Sequence, residues 1–379
     1  MKYLTAFDKW RGSLTAGEAC ESMAKGILLD YKEAEVVQCP LADGGEGSLM
    51  IVAQNKKGQF EKVITEDPLG RSIQTEFYLE KNGVAYIESA LIIGHHLLSG
   101  DEKNPMLTHS RGLGLVLKSV KERGVKEVHL FLGGSVTSDG GMGMLDALGV
   151  RFYDFEGQLL APKGENLRKV HDIDIKKCLD FNEILLHVWC DVLSPLTGPK
   201  GAALLFSPQK GADERMAKVL EEGMLHYQYR ISQYFMLSDI SDRPGSGAAG
   251  GLGFASNVFL GGIIGRGLDF FMKMTECEKK IREADIIITG EGKFDHQSLL
   301  GKVTGGVAAL AKKYQKPCYV VCGINESKDL HFSESGIDSV FSLKDEEPDE
   351  KRSLQYAGKL LERIGPKIVS QVKKNAELF

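Results

Sequence analysis

A chain of 379 residues, 42% of them hydrophobic and 26% charged with both signs mixed, has the composition of a globular protein, and its length suits two domains better than one. The formal net charge of −5 excludes a broadly basic face, so nucleic acid is not an expected partner. Charges interrupt the N-terminal MKYLTAFDKWRG before it reaches signal-peptide length, and no segment approaches the roughly 18 apolar residues of a membrane span. The seven cysteines are scattered without a C-x-x-C pair, so neither disulfides nor zinc are indicated and a cytoplasmic protein is expected.

In chain order, a helical segment over Gly17 to Leu29 precedes a first short apolar run, Val36 to Leu41, which ends in ADGGEGS at 42–48. From Phe60 to Ala90 the pattern alternates, and the turn signals Asp67-Pro68-Leu69-Gly70 and Lys81-Asn82-Gly83 mark it as a meander. A helix over Gly112 to Arg123 leads to a second run, Val128 to Leu132, before GGSVTSDGG at 133–141. The third run, Ile184 to Cys190, ends at Asp191 and is followed by a helix over Glu214 to Tyr229. Ile286 to Thr289 comes before GEGKFDHQ at 290–297, a helix follows over Gly305 to Tyr314, and Cys318 to Cys322 is the fifth run. The charged stretch from Lys344 to Lys351 reads as a solvated loop. This alternation predicts an α/β fold of two α/β domains. Residues 1–60 and 260–379 are expected to form a Rossmann-like parallel-sheet domain, around an inserted mixed-sheet domain at 61–259.

Four of the five runs end in carboxylates. Ligands of open α/β sheets bind outside the carboxyl ends of the strands, so acids gathered there are placed for chemistry. In ADGGEGS, Asp43 and Glu46 flank glycines at an expected helix start, where backbone N–H groups could hold a phosphate or carboxylate; the same residues also read as a helix cap with a tight turn. Gly133, Gly134, Ser135, Thr137, Ser138, Asp139 and Gly140 give small residues, hydroxyls and one acid in a loop suited to phosphates and their magnesium. Asp191 and the set Glu291, Lys293 and Asp295 complete the rim, and Lys210 lies in a glycine-flanked setting that could meet an anion. Gly245 to Gly250 matches G-x-G-x-x-G without a preceding strand, and Gly301-Lys302 is not a Walker A loop.

These blocks resemble, in order and over nearly the whole chain, the type I (glycerate-2-kinase) family of glycerate kinases. They are RGSLTA at 11–16, ADGGEGS, GGSVTSDGGMGMLDALG at 133–149, CDVLSPLTGPKGAALLFSPQKGA at 190–212, GSGAAGGLG at 245–253 and ADIIITGEGKFDHQSLLGK at 284–302. The resemblance implies ATP-dependent phosphorylation of D-glycerate to 2-phosphoglycerate, Mg²⁺ as cofactor, and a site in the cleft between the two domains. Arg11 stands where the family has lysine, and Ser138 and Ser194 stand where it has asparagine, which shortens two potential substrate contacts.

The roles that follow are Asp191 as base, with Arg11 and Ser13 on the acceptor carboxylate or the transferred phosphoryl group. Asp43 and Glu46 lie near the acceptor hydroxyls, Ser194 and Lys210 contact the substrate, and the 133–140 residues hold the nucleotide. Mg²⁺ goes to Asp139 and Asp295, with Glu291 as a third candidate. Other readings are a kinase for a different hydroxy acid, a non-catalytic hydroxy-acid sensor, and a dinucleotide-dependent oxidoreductase resting on Gly245 to Gly250 alone. The expected partner is a small molecule, with a homo-oligomer left open.

Overall fold

Thirteen strands occur among the described residues of this computed structural model, which describes residues 1–376 except 192, 239–242, 300–301 and 328–331. In chain order they are β1 (Lys2–Phe7), β2 (Glu35–Gln38), β3 (Gly58–Glu66), β4 (Ser72–Glu80), β5 (Val84–Glu88), β6 (Glu127–Leu132), β7 (Arg151–Tyr153), β8 (Asp172–Asp174), β9 (Leu185–Cys190), β10 (Ile263–Arg266), β11 (Ile286–Phe294), β12 (Cys318–Asn325) and β13 (Ser339–Ser342). Contacts divide the chain into two compact units, Met1–Asp43 with Leu268–Phe379, and Gly44–Gly267. The helix Ser48–Asn55 falls in the second unit, whereas the sequence reading gave it to the first. The reason is local: the Glu88 carboxylate at the end of β5 accepts hydrogen bonds from Gly47 N–H and Leu49 N–H, both at 3.0 Å, and holds the helix start.

The first unit is built on a fully parallel sheet of order β13-β12-β11-β1-β2. Its interior strand β1, between β11 and the edge strand β2, is not among the five apolar runs because Lys2 and Thr5 interrupt it. Thr5 is fully buried, and its hydroxyl donates to Cys20 O at 3.4 Å, which lets a polar residue sit in a central strand. The Val36 to Leu41 run, expected as a buried strand, lies at the sheet edge: it is half-exposed as far as Gln38, where the regular strand ends, and then buried at Cys39 and Leu41, whose N–H groups donate to Thr5 O and Phe7 O of β1. The helix Ala16–Asp30 starts with a capping box, in which Glu18 N–H donates to Thr15 Oγ1 at 3.2 Å and Thr15 N–H donates to Glu18 Oε2 at 2.8 Å. Its Met23 and Ile27 share a core with Leu361, Ile364 and Ile368 of the helix Ala357–Ala376 and with Tyr3, Ile288 and Val321 of the sheet. Each such side chain contributes roughly 1.5–3 kcal/mol by leaving water.

Read from the other edge, this strand order is that of the flavodoxin-like doubly wound sheet: the chain leaves β1 to one side for β2 and resumes on the other side at β11. At such a reversal the flanking loops turn to opposite faces and leave a crevice outside the carboxyl ends of β1 and β11.

The second unit carries a six-stranded mixed sheet of order β10-β9-β6-β5-β4-β3. β3, β4 and β5 are the antiparallel meander, and β5, β6, β9 and β10 continue in parallel. Asp67 makes the first turn, with Oδ1 accepting Leu69 N–H at 2.8 Å and Arg71 N–H at 2.9 Å. One face packs the helices Arg111–Glu122 and Ala248–Leu260 into a large apolar core. Across the other face runs a ladder of rings in which Tyr86 stacks on His129 at 4.8 Å and His129 on His187 at 4.9 Å.

Candidate active site

A cavity of about 530 Å³ opens at the carboxyl ends of the first unit's strands. Asp8, Lys9 and Arg11 reach it from the loop after β1, Asp43 from beyond β2, and Glu291 and Asp295 from the end of β11 and the loop beyond it. Six residues named from the sequence, Arg11, Ser13, Asp43, Glu291, Lys293 and Asp295, thus line one space.

The acids are held in different ways. Asp8 is 6% exposed; its Oδ1 accepts Lys9 N–H at 2.7 Å, and among the described residues no other hydrogen bond or ion pair holds its carboxylate. Burial, and next the neighbouring Asp43 carboxylate, push its pKa up to about 7 against the pull of the Lys9 ammonium. Lys9 Nζ lies 3.9 Å from Asp43 Oδ1. Glu291 is 8% exposed and its Oε1 has no hydrogen-bond partner; burial raises its pKa, opposed by the Thr304 hydroxyl and the Lys302 ammonium. Asp295 is half-buried, and its Oδ1 accepts Ser298 N–H at 3.2 Å.

Two cations lining the same cavity, Arg11 and Lys302, have side chains with neither a hydrogen bond nor an ion pair among the described residues, whereas Lys293 is paired with Glu326 at 2.7 Å. Ser13, expected on the substrate, instead donates its hydroxyl to Leu354 O at 2.7 Å. The charged segment Lys344 to Lys351 is not a plain solvated loop: Lys344, Glu347 and Glu350 line the cavity from the helices Leu343–Glu346 and Glu350–Gln355 and the turn joining them.

Sequence reasoning left Asp8, Lys9, Trp10 and Lys302 out of the candidate set. The strand-end rule would have found Asp8 had β1 been recognised as a strand. Lys302 follows two residues, Leu300 and Gly301, that lie outside the described residues.

The remaining candidates lie in the second unit. The 133–141 loop is packed inside it, with Thr137, Ser138 and Asp139 fully buried. Gly133 is glycine because a Cβ there would come within 2.6 Å of Gly45 Cα; the glycines of the two motifs let main chains touch. Asp139, expected on Mg²⁺, accepts four hydrogen bonds: Ser110 N–H at 2.7 Å, Ser110 Oγ at 2.8 Å, and the N–H groups of Gly141 and Gly143 at 3.0 Å each. Three of these fall on Oδ2 and one on Oδ1, and the carboxylate is fully buried, so most of its acceptor capacity is met from inside the unit.

The helix start in ADGGEGS is likewise already occupied by the Glu88 carboxylate, so its amides are not open to a phosphate. Lys210 is 2% exposed; its Nζ donates to Thr137 O at 2.6 Å and to Ser135 Oγ at 3.2 Å, and burial lowers its pKa to about 7 against the pull of Asp139. The hydroxyls of Thr137, Ser138 and Ser194 are buried without partners. Gly140 N–H donates to Gly250 O at 3.0 Å, tying the loop to the 245–251 turn that opens the helix Ala248–Leu260. No strand runs into that turn among the described residues, which is why its G-x-G-x-x-G pattern is not a dinucleotide fingerprint. Asp191 and Glu46 are exposed.

A profile described as "Glycerate kinase family" matches residues 3–373. The chain belongs to the glycerate kinase family. It is 34% identical over 382 residues to a glycerate kinase of Bacillus subtilis (strain 168), covering all of both chains. To the glycerate 2-kinase of Escherichia coli (strain K12) it is 36% identical over 90% of each chain. The solved structure of a glycerate kinase 2 from Salmonella typhimurium LT2 superposes with a TM-score of 0.79 at 32% identity, covering 100% of this chain and 99% of that one. A kinase needs a small-molecule acceptor and ATP as donor, and the first unit offers carboxylates and unpaired cations in one cavity for such groups. Among the described residues no helix is long and apolar enough to cross a membrane.

Proposed function

We propose that the chain transfers the γ-phosphoryl group of ATP to the 2-hydroxyl of D-glycerate, giving 2-phosphoglycerate, and that the cavity of the first unit is where this occurs. The observation that carries the reading is the presence in one cavity, at the β1/β11 reversal, of a buried carboxylate free on one oxygen and of cations whose side chains have no partner among the described residues. Phosphoryl transfer rests on positioning and charge stabilisation, and these are the groups it needs.

Asp8 is the proposed proton acceptor for the attacking hydroxyl, because its pKa lies near the working pH and its second oxygen takes no hydrogen bond. Arg11 and Lys302 are proposed to meet the transferred phosphoryl group and the acceptor's carboxylate.

Magnesium fits a part of this site. Among the described residues no three His, Cys, Asp or Glu side chains could hold a metal ion together. Mg²⁺, however, usually takes one or two carboxylates and completes its shell with phosphate oxygens and water, and the orphaned Glu291 Oε1 beside Asp295 matches that pattern. Glu291 and Asp295 would hold it, and it would neutralise phosphate charge. A cytoplasmic setting, where ATP is available, suits the reaction.

The reading is tested by coupled ADP release across a panel of small hydroxy acids, with the product identified by ³¹P NMR. Turnover with D-glycerate to the 2-phosphate is expected. Turnover only with another acid, or none with any, overturns it.

A further inference from the structure

The lining of the first unit's cavity is mixed. Asp8, Arg11 and Lys302 give it charge. Ile324 at the carboxyl end of β12, Leu343, Leu354 and Ala357 give it apolar surface, with Lys344, Glu347 and Glu350 coming from the same segment as Leu343 and Leu354. Leu354 is 44% exposed although it sits on a short helix whose other residues are Glu, Lys, Arg, Ser and Gln, so a large apolar side chain is left at the rim with little to cover it. The Ser13 hydroxyl from the loop after β1 holds the main chain at Leu354. Trp10 lines the same space at 3% exposure, and its indole N–H has no acceptor.

At about 530 Å³ the cavity falls within the roughly 300–1,000 Å³ of clefts that enclose drug-sized ligands, far more than a three-carbon acid fills. Neither an acid of that size nor an inorganic polyphosphate has an apolar surface to lay against Leu343 and Leu354. A nucleoside triphosphate has both parts, a polyanion and a flat apolar base.

We propose that the wall of Ile324, Leu343, Leu354 and Ala357 is the nucleoside subsite of the donor nucleotide, with the base against these side chains and the ribose facing Glu350 and Ser353. The triphosphate then runs toward the cations at the strand ends, and a ligand oxygen meets the Trp10 indole N–H. This deepens the kinase reading and rests on it. It also moves the nucleotide away from the 133–140 loop, which the sequence reading favoured and whose hydroxyls are packed inside the second unit.

The test uses the full chain and two variants on the partly exposed rim, Leu354→Asp and Ser353→Trp. Titration calorimetry measures the binding of ADP and of inorganic tripolyphosphate, and thermal melts confirm folding. The expected result is ADP binding weakened about tenfold or more in both variants, with tripolyphosphate binding unchanged within twofold, because only the nucleoside contacts are removed. ADP binding equal to wild type in both folded variants overturns the subsite. So does an equal loss for ADP and tripolyphosphate, which places the effect on the phosphates. Failure of D-glycerate to elicit ADP release, with ADP still weakened in the variants, leaves the subsite standing and removes the acceptor.

Discussion

The loop after β1 and the loop after β6 both follow buried parallel strands and both carry an aspartate, yet they treat it in opposite ways. Asp8 takes one internal hydrogen bond and keeps an oxygen for whatever enters the cavity. Asp139 takes four, three of them on one oxygen, and is fully buried. A strand-end acid is therefore a functional candidate only after its internal donors have been counted; position on the rim does not separate a chemical group from a cap. The same count divides the cations, since the Arg11 side chain has no partner among the described residues whereas Lys210 is spent on Thr137 and Ser135.

The sharpest way to break this comparison is Asp8→Asn. An amide keeps the size but cannot take a proton, so kcat is expected to fall by roughly 10² to 10⁴. The wild-type rate should decline as pH falls below about 7, and that limb should vanish in the variant. The sign for stability is opposite. The folded carboxyl binds its proton more tightly than the unfolded one, so it costs stability as pH rises from the ordinary carboxylate range through about 7, and Asp8→Asn should melt higher than wild type at pH 8. A kcat loss of the same size in Asp191→Asn, with Asp8→Asn near wild type, would move the base to the second unit.

Asp139→Asn comes next in size, now as a stability effect. Exchanging an acceptor oxygen for an NH₂ leaves buried donors facing a donor, at about 1–3 kcal/mol for each hydrogen bond lost, so the urea midpoint should drop by the equivalent of about 3 kcal/mol. Added Mg²⁺ should not restore it. A variant with wild-type stability but a raised Mg²⁺ requirement would return Asp139 to the metal.

The ring ladder of the second unit supplies a smaller, pH-dependent effect. Burial, and next His187, hold His129 down at a pKa of about 3, with Trp189 Nε1–H donating to its Nδ1 at 2.8 Å. A depressed histidine contributes stability that is present above its unfolded pKa near 6.5 and is lost as pH falls toward 3. Between pH 6.5 and 5 the loss should reach about 2 kcal/mol in denaturant titrations. His129→Phe should be flat over that interval.

The smallest expected change is Arg11→Lys, at the exposed lip of the cavity. A point charge replaces a planar fork, so KM for the acid or for ATP should move a few-fold with kcat nearly constant. Identical kinetics would place Arg11 outside the site.

The sequence by itself determined the α/β class, the meander, the family and part of the charged lining of the cavity, because hydrophobic period, turn residues and ordered motifs are local properties. It could not mark β1 as an interior strand, since Lys2 and Thr5 look polar until Thr5 meets Cys20 O. Nor could it show that Glu88 caps the Ser48–Asn55 helix, that Asp139 is satisfied from Ser110, or that the 344–351 segment turns inward to line a cavity. Those outcomes depend on which hydrogen-bond donor a distant part of the chain delivers, and only the tertiary structure decides whether a buried carboxylate is used up by its own fold or left open to a ligand.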